Sequence, residues 1–317
     1  MNRGVLALDV GGTKLAAGLV DTDGRVEAFR EVPTPAGGEE SGEAVFAAVE
    51  GLLRGVVEAA GRRQVAGIGV GCGGPMTRTA VSPLNIPGWR GFPLAACLED
   101  TFGVAVVVDN DAKAMALGEG WLGAARGETC YLGMVVSTGV GGGIVLDGRL
   151  LHGRETNAGH IGHVVVNPGG EPCACGGRGC LEAEASGTAI ARKAARRAES
   201  HATPMLVPAG SAMTAVDVAR AARAGDPVAA GVFEEAGAMI GLAIADTANL
   251  LDLGLAVVGG GVAGAGDLLF DPCRRAASEN ARLVYSRDVQ VVPAALGRRA
   301  GVVGAAALWF AQHDVGT

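Results

Sequence analysis

The strongest constraint on this chain is that its opening pattern occurs twice. An apolar run at residues 5–10, the turn Gly11-Gly12, a second run at 14–20 and the turn Asp21-Thr22-Asp23-Gly24 into 25–29 read as a β-meander, because apolar stretches broken by Gly and Asp-Gly make hairpins. Residues 130–136, the turn Ser137-Thr138-Gly139, residues 143–146 and the turn Asp147-Gly148 repeat it element by element. Such a repeat predicts two similar lobes with a cleft between them, each offering one Gly-rich hairpin to a ligand. Elsewhere strands alternate with helices: helical spacing at 43–60, 94–101, 112–120, 188–199, 214–224 and 228–251, β-branched or apolar runs at 65–70, 104–108 and 255–258. That alternation is the signature of an α/β fold. After Gly259-Gly260-Gly261 a further helix follows, and a last one at 300–312 is expected to pack back onto the first lobe. A chain of 317 residues accommodates two domains, expected at 1–116 (joined by the helix in 300–317) and 117–299.

Composition removes several classes. With 33 acidic and 26 basic residues the formal net charge is -7, which argues against a broad nucleic-acid face. Residues 1–5 enter an apolar strand with no charged leader and cleavage site, so a cytoplasmic protein is expected. The apolar stretch at 239–262 is interrupted by Asp246, Asn249 and Asp252, which predicts a buried helix and a strand in place of a membrane span. Cysteines number seven, and three of them crowd together at Cys173, Cys175 and Cys180, a clustering that points to metal more than to disulfides.

The Gly-rich turns separate by context. Gly259, Gly261 and Gly264 satisfy GxGxxG between a strand and a helix, but no acidic strand end follows, so hydride transfer to a dinucleotide is disfavoured; nor is there a GxxxxGK[ST] loop. Asp9 to Lys14 has another logic. A tight hairpin at Gly11, Gly12 and Thr13 exposes backbone N–H groups, a hydroxyl and the Lys14 ammonium to phosphate oxygens, while Asp9 can reach a magnesium-bound water. Thr138 and Gly139 offer the same equipment in the second copy. Either copy alone reads as an ordinary hairpin; two at matching positions favour phosphate. Asp111 follows a β-branched run, where a carboxylate can accept a proton from a substrate hydroxyl, and Asn110 or Asp111 can equally cap the helix that follows. His163 with Cys173, Cys175 and Cys180 forms a Cys₃His set suited to a structural zinc, with a reduced, metal-free loop as the alternative. Arg192, Lys193, Arg196 and Arg197 follow helical spacing and read as a solvated face; His201 and His313 carry no assignment.

These pieces in this order resemble the ROK family of bacterial sugar kinases and repressors, within the actin-like ATPase superfamily. The resemblance rests on Asp9 to Lys14, Asn110-Asp111, Ser137 to Gly143, Gly162-His163 with the three clustered cysteines, and Gly259-Gly260-Gly261. It implies two actin-like (ribonuclease H-like) lobes, an interlobe cleft, a zinc loop at 163–182, a homodimer, and ATP with Mg²⁺ and structural Zn²⁺ as cofactors. It further implies Asp111 as the general base on the 6-hydroxyl of a hexose or aminohexose and Asp9 beside magnesium. Gly11, Gly12, Thr13, Lys14, Thr138 and Gly139 would then lie on the phosphates, and Gly260 and Gly261 beside the adenosine. Asn85, Asn110, Asp111, His163 and Glu182 would hold the sugar, His163 also joining the zinc shell. One departure stands out: the family usually has Glu-x-Gly-His where this chain has His160-Ile161-Gly162-His163. N-acetylmannosamine kinases look similar there, whereas Asn85 to Trp89 looks like the glucokinase branch, so His160 becomes a candidate determinant for glucose, N-acetylmannosamine or a 3-amino-glucose. Competing expectations are a sugar-sensing repressor, for which residues before Asp9 leave no helix-turn-helix, a non-catalytic sugar-binding module, and a kinase using polyphosphate as donor.

Overall fold

The computed structural model describes residues 3–38, 41–61, 63–200 and 212–313. In the first half, β1 (Arg3–Val10), β2 (Lys14–Val20) and β3 (Val26–Pro33) form an antiparallel meander, and β4 (Gln64–Cys72) and β5 (Val106–Asn110) extend it in parallel on the other side of β1. The sheet order is β3-β2-β1-β4-β5. The second half rebuilds the same sheet from β6 (Tyr131–Val136), β7 (Val140–Leu146), β8 (Arg149–Leu150), β9 (Leu255–Gly259) and β10 (Gln290–Pro293), in the order β8-β7-β6-β9-β10. The repeat seen in sequence is thus a repeat of topology: each sheet has its meander strand beside the first of two parallel strands.

Strand alternation distributes the core of the first sheet. Leu6, Leu8, Val10 and Leu15 face α1 (Gly42–Ala60), whose Val45, Val49, Leu52, Leu53 and Val56 recur at helical spacing. Val5, Ala7 and Ala16 face the opposite way onto Val302, Ala305, Ala306 and Trp309 of α9 (Ala300–Gln312). A short helix α2 (Leu94–Phe102) precedes β5, and α3 (Asp111–Leu122) runs from the end of β5 to lie against α9 and against β6 and β7. The boundary expected after residue 116 therefore falls inside a helix that touches both sheets. Where α3 and α9 cross, their backbones meet at Gly118 and Gly304: a Cβ at Gly118 would lie 3.0 Å from the Gly304 Cα.

The outer face of the second sheet is covered by α4 (Leu181–Ala185), α5 (Gly187–Ser200), α6 (Ala215–Arg223), α7 (Pro227–Leu251) and α8 (Asp267–Asn280). Helix α7 starts with the Asp226 carboxylate accepting the Val228 and Ala229 N–H groups and with Pro227 at its first turn, where a missing N–H costs nothing. Long and apolar enough by composition to cross a membrane, α7 is instead packed among α4, α5, α6 and α8.

Three sequence expectations change. A 3₁₀ turn, Gly261–Ala265, separates Gly259-Gly260-Gly261 from α8. The strand β10 and the short α4 have no counterpart in the periodicity reading. The basic run on α5 is a solvated face only in part: Lys193 is buried and donates at 2.6 Å to buried Glu184, whereas Arg196 is exposed and Arg192 and Arg197 are half-buried, Arg196 pairing with Glu171 and Arg197 with Glu235. His201 and residues 314–317 lie outside the described residues.

Candidate active site

The first hairpin turn is closed by Gly11 N–H donating to the Lys14 carbonyl at 3.0 Å and is tied down by Thr34, whose hydroxyl donates to the Gly11 carbonyl at 2.7 Å. Gly12, Thr13 and Lys14 are left exposed. Asp9 shares the α9 side of the sheet with Ala7 and Val5, and its carboxylate fills the space that a side chain at Gly301, in the first turn of α9, would need. The Lys14 ammonium lies 2.5 Å from the Glu31 carboxylate, which also pairs with Arg298 just before α9. These two cations, the Lys14 hydrogen bond first, hold Glu31 below the usual carboxylate range.

Asn85 closes over this turn. A Cβ at Gly12 would overlap that of Asn85, so only glycine lets the two segments meet. Arg90 fixes the loop that carries Asn85 by donating to the carbonyls of Pro83 at 2.7 Å and Ile86 at 3.1 Å. Buried Trp89 anchors it from below, with its indole N–H on the Gly42 carbonyl.

The second hairpin turn has the same outline and different support. Ser137 N–H donates to the Gly139 carbonyl at 2.8 Å, Gly187 N–H to the Ser137 carbonyl at 2.7 Å, and the Thr188 hydroxyl to the Thr138 carbonyl at 2.9 Å. Glu182, from α4, lies on Gly139 and accepts the Val140 N–H at 2.9 Å. Gly260, at φ 90°, brings the strand end against Val136, with Gly261 beside the Ser137 hydroxyl; both glycines are exposed.

At the end of β5 both expected roles coexist. Asn110 caps α3, its side-chain oxygen accepting the Ala112 N–H at 3.0 Å, which leaves the amide nitrogen free to face Gly74. Asp111 accepts the same N–H at 2.8 Å and is exposed. Desolvation raises its carboxyl above the ordinary value, opposed by the Ala112 N–H and by His160. Asp9 is pushed up to about 7, by desolvation first and then by Asp111, with Lys14 opposing. Buried Cys72, beneath both carboxylates at the end of β4, has its thiol pushed up by burial and by the same two charges.

His160 completes this end of the cleft. Its Nε2 and the Asn110 amide nitrogen both lie 3.4 Å from where a Cβ on Gly74 would stand. The His160 and His163 rings are near-parallel, 6.4 Å apart, across the 3₁₀ turn Ile161–His163. His163 then turns its Nδ1 to Cys173 Sγ at 3.7 Å, and Cys175 and Cys180 stand 3.7 Å apart. All four ligand atoms lie within 4.8 Å of one another. Bonds of about 2.3 Å from a central zinc to sulfur give tetrahedral edges of about 3.8 Å, so the donors have the identity and spacing of a four-coordinate site.

The sequence-predicted residues therefore gather in two groups: Asp9 and Lys14 to Asn85, Asn110, Asp111 and His160 around the first hairpin, and Thr138, Gly139, Glu182, Gly260 and Gly261 around the second, with His163 and the cysteines behind His160. The structure adds Glu31, Arg298 and Arg90. Each acts through a partner distant in sequence, or through backbone carbonyls, and none leaves a periodic signal.

The sequence profile of the ROK family matches residues 5–312. A glucokinase from Streptomyces coelicolor is 36% identical over 316 residues, 96% of this chain and 96% of that protein. An N-acetylmannosamine kinase from Yersinia pseudotuberculosis is 38% identical over 262 residues, 83% of this chain and 84% of that protein. Among solved structures, a ROK family glucokinase from Streptomyces griseus in complex with glucose and AMPPNP is 36% identical with a TM-score of 0.83, covering 96% of this chain and 98% of that one.

Proposed function

The chain belongs to the ROK family, and from that premise we propose an ATP-dependent kinase that phosphorylates the 6-hydroxyl of a hexose or aminohexose, with Asp111 as general base. The observation that carries this reading is the placement of Asp111: an exposed carboxylate directly after a parallel strand, its carboxyl raised above the ordinary value by desolvation, and flanked by Asn110 and His160. A carboxylate so raised is better matched to accept the hydroxyl proton near neutral pH than one at its ordinary value.

Phosphoryl transfer asks a protein for positioning and charge neutralisation more than for covalent chemistry. Asp9, whose carboxyl is pushed up to about 7 by burial first and by Asp111 second, would stand beside a magnesium ion, which would supply neutralising charge there. The N–H groups of exposed Gly12, Thr13 and Thr138 and of half-buried Gly139, with Lys14 and its neighbour Gly11, hold the phosphates; Gly260 and Gly261 border the adenosine. Mg-ATP supplies the transferred phosphoryl group. Asn85, the Asn110 amide, His160, His163 and the free oxygen of Glu182 hold the sugar. His163, Cys173, Cys175 and Cys180 would hold a structural zinc, which would fix the His163 ring beside the substrate.

A histidine at 160 offers one acceptor where a carboxylate would offer two, and this favours an amino or N-acetylamino sugar over glucose. The test is sugar-dependent ADP release with Mg-ATP across glucose, mannose, glucosamine, N-acetylglucosamine, N-acetylmannosamine and 3-amino-3-deoxyglucose. The reading expects turnover on at least one sugar, with kcat/KM highest on an amino or N-acetylamino one. A glucose optimum would remove the specificity argument, and no turnover on any sugar would remove the kinase.

A further inference from the structure

The segment between β8 and the 3₁₀ turn, residues 152–160, is held by groups that neither the phosphate hairpins nor the zinc donors require. Lys113, on α3, is fully buried; its ammonium lies 3.2 Å from Asp109 and donates to the Thr156 carbonyl at 2.5 Å. His152, at the other end of the segment, stands 3.1 Å from the second oxygen of Asp109. Thr156 adopts a φ of 64°, which β-branched residues resist, and its buried hydroxyl has no partner. A conformation that unfavourable persists where neighbours over-determine it.

The next residue reaches back to the segment that follows β4. The Asn157 amide donates to the Met76 carbonyl at 2.9 Å and accepts the Met76 N–H at 3.3 Å, pairing with one residue's backbone from both sides just beyond β4. Its own carbonyl lies 2.7 Å from His160 Nδ1. A carbonyl oxygen can only accept, so Nδ1 must carry the proton, and in the uncharged ring Nε2 is then a bare acceptor. That Nε2 is the atom beside Gly74 and the Asn110 amide, on the Asp111 side of the cleft.

We propose that Asn157 and Lys113 are positioning residues of the sugar site. They hold residues 152–160 so that the Asn157 carbonyl fixes the His160 tautomer and turns an acceptor lone pair toward the substrate. The pocket therefore recognises a hydrogen-bond donor at that place, a hydroxyl, an amide N–H or an ammonium, and discriminates against a deoxy position, because a lone pair left unmet in a closed cleft loses its water without replacement. This deepens the kinase reading and rests on it for the identity of the ligand as a sugar.

The experiment combines imidazole ¹⁵N NMR with calorimetry of sugar binding to the full chain, neither of which needs turnover. The wild type is expected to show His160 protonated at Nδ1 and bare at Nε2. Asn157→Ala should lose that tautomer preference and weaken binding of the preferred sugar at least about tenfold, with nucleotide affinity within about twofold; Asn157→Asp, which keeps acceptance from Met76 N–H, should fall between. Lys113→Gln tests the other anchor by the same readouts. A wild-type His160 protonated at Nε2, or an Asn157→Ala variant that weakens sugar and nucleotide equally, would overturn the proposal. Should the protein bind sugar and show these effects yet transfer no phosphate, the kinase reading fails and the positioning claim stands.

Discussion

The two hairpins share a backbone and differ in what surrounds it. The first gathers Asp9, Lys14, Glu31 and Arg298 around its turn, with Asp111 close enough to raise Asp9. The second is pinned by the Gly187 N–H on the Ser137 carbonyl and by the Thr188 hydroxyl on the Thr138 carbonyl, with the Glu182 carboxylate accepting the Val140 N–H. Sheet order is the same in both halves, so the difference arises from side chains and not from topology. A duplicated fold here supplies two anion-binding turns. Among the described residues, the cluster of ionisable side chains is at the first of them. In our reading that makes the first hairpin the side of proton and metal chemistry and the second a side of binding.

Substitutions on the two sides should differ in kind. The largest effect belongs to Asp111→Asn, expected to lower kcat by about 10³-fold with sugar affinity preserved in calorimetry, whereas Glu182→Gln should act through sugar KM and spare most of kcat. Equal loss of kcat in both variants would break the comparison. Next comes the metal loop behind His160. Cys175→Ser should abolish zinc retention, measured by elemental analysis, and lower Tm by roughly 5–10 °C. Wild-type protein purified active without zinc would dismiss the site.

A smaller effect, of opposite sign, is expected at Asp9. A carboxyl whose folded value is raised to about 7 binds its proton more tightly in the native state than in the unfolded chain. Its ionisation therefore destabilises the fold: the penalty is absent below about 3.8, grows as pH rises toward 7 and is complete above it. Asp9→Asn should stabilise the ligand-free protein by roughly 1–3 kcal/mol at pH 8 and by much less at pH 5, allowing for the water that reaches this half-buried group. Denaturant titrations at the two pH values check it, and an identical gain at both would contradict it. Smallest is Arg90→Ala, which releases the Asn85 loop and should raise sugar KM about 3- to 10-fold with Tm nearly unchanged.

Much of this was legible in the sequence because it is periodic or local. Apolar alternation marks β1 and β2, Gly-rich breaks mark both turns, and Asn110-Asp111 sits where a strand must give way to a helix. What escaped is what distance along the chain conceals. The basic positions of α5 have the spacing of an exposed face, yet Lys193 is buried because Glu184, hydrogen-bonded also to the Glu171 N–H of the cysteine loop, stands opposite it. Arg298 meets Glu31 from the far end of the sequence, and β10 is only four residues long. Lys113 stands in a helix of small residues, and that it faces Asp109 and Thr156 depends on a turn formed some forty residues later.

The most direct test of the central claim is sugar-dependent ADP release by wild type and Asp111→Asn, measured side by side with the best sugar of the panel and with sugar affinity determined for both. The account predicts brisk turnover in the wild type and about a thousandfold less in the variant at unchanged sugar affinity. Near-normal turnover in Asp111→Asn would contradict it, placing the base elsewhere in the cleft.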